Sequence, residues 1–258
     1  MLEEVNSYYR KVPKRVEQFA MRSLIKQVEP FVRSGDFKHL SDLFLDKLNV
    51  TGRYMAASRP DFRKNRERLQ HQPGIVISNH PGYIDPLLLL SQIERRDILI
   101  MLHNNIYKSA KDQLGGVANK YFISNLRESL PQAQEHIADG GLFIFFPTGL
   151  QGPIFKNGFR EIVDTIASDT MVYSFHLDKD DVDKTEKEKL SLGAGLAYTF
   201  LPTQIPSMRQ MGEKFIIDVD ERVSSADEWK RVIADNGDAK RRNVSAALQM
   251  HYEKQFAA

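Results

Sequence analysis

The chain predicts an α/β fold: a mostly parallel sheet flanked by helices, with an N-terminal helical segment ahead of it. Three observations carry that expectation. Short apolar runs rich in Ile, Val and Phe recur as "GIVIS", "DILIML", "GLFIFF" and "MVYSFHL", the pattern of strands covered on both faces. Helix-patterned segments stand between them, the order that parallel strand pairing needs. At 258 residues, 41% hydrophobic and 27% charged, the chain is long enough to bury one sizeable core and ordinary in composition.

The elements follow in order. Phe19, Leu24, Val28 and Phe31, then Leu40, Leu43, Phe44, Leu45 and Leu48, recur at roughly helical spacing, which predicts helix over 15–47 broken at "RSGD". "LNVTG" reads as a short strand ending at Gly52. Residues 53–72, "RYMAASRPDFRKNRERLQHQ", are polar and basic, and read as a surface excursion or a short helix with a solvated face. Then come the strand "GIVIS", the helix "DPLLLLSQI", the strand "DILIML", a helix over 129–139, the strand "GLFIFF", a helix over 157–168 and the strand "MVYSFHL". "DKDDVDKTEKEK" carries charges of both signs and reads as an exposed excursion. "GLAYTFL" and "EKFIIDVD" add two late strands, and 226–255 closes with helix. The division expected is a helical segment over 1–47, packed on the domain or facing a membrane, and an α/β domain over 48–258.

Composition narrows the function classes. A formal charge of +2 is close to balance and implies no nucleic acid partner. The absence of cysteine removes disulfides, thiolate nucleophiles and cysteine-rich zinc sites, and fits a cytoplasmic, reducing compartment. "MLEEVNSYYRKVPKRVEQFAMRSLIKQ" has charges throughout and does not read as a secretory signal. The stretch Pro73 to Ile93, free of Lys, Arg and Glu, contains Asn79, His80, Pro81, Gly82, Asp85 and Pro86, so it does not read as a transmembrane helix. His103, His176 and His251 show no metal-ligand spacing, and no metal is expected.

Chemistry concentrates in "GIVISNHPGYIDPLLLL", residues 74–90. Pro81-Gly82 suits the centre of a type II turn, and Asp85 before Pro86 suits an N-cap followed by the first helical position. Strand, turn and helix start then bring His80 and Asp85 near one another at the C-terminal end of a strand, where open α/β sheets bind ligands. Histidine titrates near neutrality and a carboxylate can orient it, so the pair reads as general base and anchor. On the local pattern alone the other reading stands beside it: Asp85 caps a helix and His80 ends a strand.

"NHPGYID" resembles the Asn-His-x-x-x-x-Asp signature of the glycerolipid acyltransferases, the family that acylates glycerol-3-phosphate and 1-acylglycerol-3-phosphate. A second block, "FIFFPTGLQGPIFKNGF" at residues 143–159, resembles that family's strand ending in Phe-Pro-Glu-Gly-Thr-Arg-Ser followed by Phe-Lys-x-Gly. Phe146, Pro147, Gly149, Phe155, Lys156 and Gly158 fall in the matching places, and the similarity spans roughly 48–180. The block also departs from the pattern: Thr148 stands for the Glu, and Leu150, Gln151 and Gly152 for Thr-Arg-Ser. The Arg associated with the acceptor phosphate therefore has no direct heir. Arg127 in "YFISNLRE" lies two places late relative to another family arginine.

The resemblance implies transfer of a fatty acyl group from acyl-CoA or acyl carrier protein, as co-substrate, to a hydroxyl of a lysophospholipid or glycerol-phosphate acceptor, with no cofactor. His80 is then the catalytic base and Asp85 its orienting carboxylate. The acceptor hydroxyl attacks directly, so no acyl-enzyme is needed. Asn79, Arg127, Thr148, Gly149, Lys156 and Gly158 become the substrate-binding candidates, Lys156 for phosphate and the Gly149 backbone for the oxyanion. All but Arg127 have a plainer reading: Asn79 positions the turn, Thr148 is a structural hydroxyl, Gly149 and Gly158 are backbone necessities, and Lys156 is a solvated lysine. A lipid product also implies peripheral contact with a membrane at its inner face, for which the 15–47 helices are candidates. The altered second block keeps three alternatives open: a non-phosphorylated or amine acceptor, a non-catalytic lipid-binding protein, and a hydrolase activating water with the same pair.

Overall fold

The computed structural model describes residues 29–79, 84–102, 104–147, 155, 157–185, 214–236 and 241–257. A helical turn over 29–34 ends at Gly35, whose φ of +71° suits glycine, inside the predicted break "RSGD". Asp36 then caps α1 (Phe37–Leu48), its carboxylate accepting from the His39 N–H at 3.1 Å. Next come β1 (Val50–Tyr54), α2 (Phe62–His71), β2 (Gly74–Ser78), α3 (Asp85–Leu90) and β3 (Ile98–Met101). They are followed by α4 (Asn104–Leu114), α5 (Gly116–Tyr121), β4 (Phe122–Ile123), α6 (Leu126–Ala138), β5 (Leu142–Phe145) and α7 (Asn157–Thr165). The described chain closes with β6 (Met171–Leu177), α8 (Lys179–Thr185), β7 (Phe215–Ser225), α9 (Ala226–Asp235) and α10 (Arg241–Phe256).

The seven strands form one sheet in the order β1-β7-β6-β2-β5-β3-β4. Every neighbouring pair is parallel except β6 and β7, which run antiparallel. Helices cover both faces. Val76, Ile100, Ile144 and Phe175 meet Phe37 of α1, Leu88 of α3 and Ala118 of α5 on one side. Ile77, Phe143 and Val172 meet Ile137 of α6, Phe159 of α7, Trp229 of α9 and Leu248 of α10 on the other. The predicted α/β class therefore holds. Its cause is visible in β2 and β5, whose residues are all buried because neither face of the central sheet meets solvent.

Several boundaries move. β1 runs on to Tyr54, α6 begins at Leu126 and α7 ends at Thr165. The closing helix is two helices, the first started by a capping box between Ser225 and Glu228. The expected excursion at "DKDDVDKTEKEK" opens instead as α8, because Val182 is buried in the core and Asp178 accepts from the Asp180 and Asp181 N–H groups. "GLAYTFL" lies outside the described residues. The basic stretch 53–72 is less solvated than its composition suggests. Arg53 binds Asp218 in a bidentate pair at 2.6 and 2.7 Å, Arg59 meets Asp220 at 2.8 Å, and Arg66 meets the buried Glu221 at 3.1 Å. Each of these acids sits on β7, so three of the basic residues hold the segment to the sheet.

Gly74 opens β2 directly beside Met171 of β6. A Cβ there would lie 2.5 Å from the Met171 carbonyl oxygen and 2.8 Å from the Tyr173 ring. Backbone in a central strand cannot yield, so Gly74→Ala is expected to lose about 1–3 kcal/mol. Thermal denaturation checks this; an unchanged Tm would mean that the two strands part there without penalty.

Candidate active site

β2 lies between β6 and β5, and β5 brings the second sequence block to it. Ile77 is level with Phe145 in a parallel pairing, so Asn79 and Pro147 each follow two residues later at the same C-terminal edge of the sheet. Blocks far apart in sequence thus leave adjacent strands in the same direction. This is the end of an open sheet where ligands bind. His80, Thr148, Gly149 and Lys156 lie outside the described residues, as does His103.

Asn79 is held from two directions. Its side-chain amide donates to the Leu177 carbonyl at 2.8 Å and its Oδ1 accepts from the Leu177 N–H at 2.9 Å. Its own N–H donates to the Tyr252 hydroxyl at 3.0 Å. The described partners of the side chain are the backbone of Leu177 on β6 and, at 3.4 Å, the Ser78 hydroxyl, which donates to Oδ1; the turn that Asn79 was expected to position lies outside the described residues. Asn79→Ala would leave both Leu177 backbone groups without these partners in a half-buried place, at about 1–3 kcal/mol. A drop in Tm of that order is expected, together with faster amide exchange at Leu177; unaltered exchange would mean that another group takes over the pair.

Asp85 is fully buried. It is the first residue of α3, and Ile84 takes the N-cap position, its carbonyl accepting from the Leu87 and Leu88 N–H groups at 3.0 and 3.1 Å. The sequence placed the cap at Asp85, one residue later. Pro86 stands within the first turn, where its missing N–H leaves no intrahelical bond unmade. Of the leucine run only Leu87 is not fully buried: Leu88, Leu89 and Leu90 join the core cluster that holds Val76 of β2 and Ile98 and Ile100 of β3.

The other candidates are more dispersed. Gly158 lies in α7, where an added Cβ would come 2.6 Å from Leu126 Cδ2, so it serves the close approach of α6 and α7. Arg127 is exposed in the first turn of α6, next in sequence to the Leu126 that packs against Gly158. Arg160 pairs with Asp164 at 3.4 Å along α7. His176 is half-buried against the Tyr252 and Phe256 rings, and His251 stands edge-on to Trp229; burial holds both imidazoles below their usual range. Among the described residues no group of three or more His, Asp or Glu side chains is arranged to hold a metal ion. No described helix is long and apolar enough to cross a membrane. A groove of about 710 Å³ opens at the opposite end of the sheet, around Gln72, Ala138 and Met171, remote from Asn79.

Tyr252 was not anticipated as part of this site. The recurrence of Val244, Leu248, Tyr252 and Phe256 at four-residue spacing marks an inward helix face, but nothing in that pattern names Asn79 as the partner. No family model and no curated protein sequence matches the chain. Among solved structures, it is similar to the crystal structure of the 1-acyl-sn-glycerophosphate (LPA) acyltransferase PlsC from Thermotoga maritima, with 15% identity, a TM-score of 0.40, and coverage of 95% of this chain and 80% of that one.

Proposed function

We propose that this chain is an acyltransferase moving a fatty acyl group from acyl-CoA or acyl carrier protein to a hydroxyl of a lysophospholipid or glycerol-phosphate acceptor. The observation that carries the reading is the parallel pairing of β2 with β5: the strand that precedes "NHPGYID" and the strand that opens "FIFFPTGLQGPIFKNGF" end at the same edge of the sheet. Burial of Asp85 supports it, since a carboxylate without solvent is kept in a fold by partners, and an orienting anion needs such shelter.

In this reading the acceptor hydroxyl attacks the thioester carbonyl while His80 takes its proton. Asp85 fixes the imidazole tautomer and stabilises the imidazolium, as the carboxylate does in a Ser-His-Asp triad. Backbone N–H groups around Gly149, with Thr148 beside them, receive the oxyanion. The intermediate then collapses, the carbon–sulfur bond breaks, and the thiolate recovers the proton from His80. Lys156 binds the acceptor phosphate, with Arg127 as a second and more distant cation. The N-terminal segment supplies peripheral contact with an anionic membrane.

Purified protein, labelled acyl-CoA or acyl carrier protein, and a panel of acceptors test the proposal. Transfer to at least one hydroxyl acceptor is expected; no transfer to any would leave lipid binding without catalysis. The replacement of the family's Glu and Arg by Thr148 and Gln151 favours a second reading, a non-phosphorylated or amine acceptor on the same His80 and Asp85 pair. Lys156→Ala separates the two. It is expected to raise KM for a phosphorylated acceptor several-fold while sparing KM for the acyl donor. Equal effects on both substrates would remove Lys156 from phosphate binding.

A further inference from the structure

The direct pairing of β2 with β6 ends at Ser78 and Phe175. At the next residue two side chains take over the bonding. The Tyr252 hydroxyl accepts from the Asn79 N–H at 3.0 Å and donates to the Phe175 carbonyl, standing between the two strands as a one-atom bridge. The Asn79 amide does the same service for both backbone groups of Leu177. The strands are thereby held a fixed distance apart where the chain runs into His80. Tyr252 comes from α10, at the other end of the sequence.

The same tyrosine also reaches the second block. Its ring lies 5.4 Å from the ring of Phe155, which is buried and packs in turn on Phe159 and Trp229. One side chain therefore touches both blocks: its hydroxyl fixes the residue before His80, and its ring backs the residue before Lys156. Full burial raises the phenol's pKa, so the hydroxyl keeps its proton and remains donor and acceptor together.

We propose that Tyr252 is a positioning residue that registers the two blocks against each other and so sets the place of His80. The proposal rests on His80 being the base of the reaction described above. It does not require Tyr252 to touch substrate. Core packing alone would be satisfied equally well by phenylalanine, which keeps the ring and its contacts with Phe155, His176 and Phe256. What phenylalanine lacks is the bridge to Asn79.

Tyr252→Phe in the full chain is the test, read in two ways. The first is the set of ring carbon–proton resonances of His80, assigned by their loss in His80→Ala, with His136 as an internal reference at the far end of α6. The second is the acyl transfer assay at a temperature where the variant is folded. Ile233→Val, a core change in α9, controls for lost stability. Tyr252→Phe is expected to shift or broaden the His80 resonances while those of His136 hold. It is also expected to lower kcat about tenfold or more with KM for the acyl donor little altered, and Ile233→Val to do neither. Unmoved His80 resonances would overturn the proposal whatever the activity. So would a kcat within twofold of the parent when His80→Ala is inactive. Moved resonances in a protein whose parent transfers no acyl group would uphold the positioning role and overturn the reaction.

Discussion

Replacing His80 by alanine is expected to lower the rate of acyl transfer by roughly 10²–10⁴ while leaving the protein folded. The magnitude follows from the task. An acceptor hydroxyl near neutral pH is a weak nucleophile, and a base that takes its proton during attack lowers the barrier by about 1.4 kcal/mol for each tenfold gained. Alanine leaves substrate positioning intact, so the loss belongs in kcat rather than in KM. Asp85→Asn should fall in the same direction by a different route. The amide keeps the shape but lacks the charge that stabilises an imidazolium, so the loss should again be in kcat. Single-turnover assays with labelled acyl donor and circular dichroism on the same samples separate chemistry from unfolding. Wild-type turnover in a folded His80→Ala protein would remove His80 as the base, and with it the role assigned to Asp85.

The second large effect concerns stability. Glu221 is buried on β7, with the Arg66 guanidinium 3.1 Å away. That guanidinium lies over the Tyr54, Phe62 and Phe175 rings at 5.0, 5.3 and 5.8 Å from their centroids, so the pair sits in an apolar box. Arg66→Ala removes the nearest counter-charge of that buried carboxylate and leaves only Arg59 to act on it more weakly, a change expected to cost about 3–5 kcal/mol. For a chain of this size the midpoint falls by about 2–4 °C per kcal/mol.

The same pair carries a pH signature. Burial raises the Glu221 pKa above its usual 4.5; Arg66 and, less strongly, Arg59 oppose the rise, while Asp220 and Asp61 add to it. Folded Glu221 therefore binds a proton more tightly than the unfolded chain does. Its contribution to stability falls as pH rises through the window above 4.5, because the folded state must give up a proton it prefers to keep. Without Arg66 the folded pKa climbs further and the window widens upward. Arg66→Ala should accordingly be more destabilising at pH 7 than at pH 5, and Glu221→Gln in that background should flatten the difference. Thermal melts at the two pH values decide it; an equal loss at both would mean that Glu221 is not the group left exposed to the change.

Local patterns carried much of this fold because they depend on neighbours in the chain. The "RSGD" break became Gly35 with its positive φ, the run "MVYSFHL" became β6 with the same bounds, and "DPLLLLSQI" became α3 over its first six residues, with proline in the first turn. In each case backbone sterics or a run of apolar residues was written in a few consecutive positions. The helices α4 and α5 and the two-residue strand β4 raised no such expectation, since "HNNIYKSAKDQLGGVANKYFI" is polar and its apolar residues are sparse. Tertiary packing, more than propensity, makes them regular.

The sequence by itself determined that a histidine and a carboxylate stand five residues apart between a buried strand and a leucine-rich helix, and that a second glycine-rich block follows a similar strand. Only the tertiary structure decided that those strands are neighbours, that Asn79 is bonded to β6 and α10, and that the basic stretch before β2 spends three of its arginines on β7. The physical reason is the range of each interaction. Periodicity and turn geometry act over a few residues, whereas a parallel pairing, an inserted hydroxyl and a buried ion pair join groups that the chain keeps far apart until it folds.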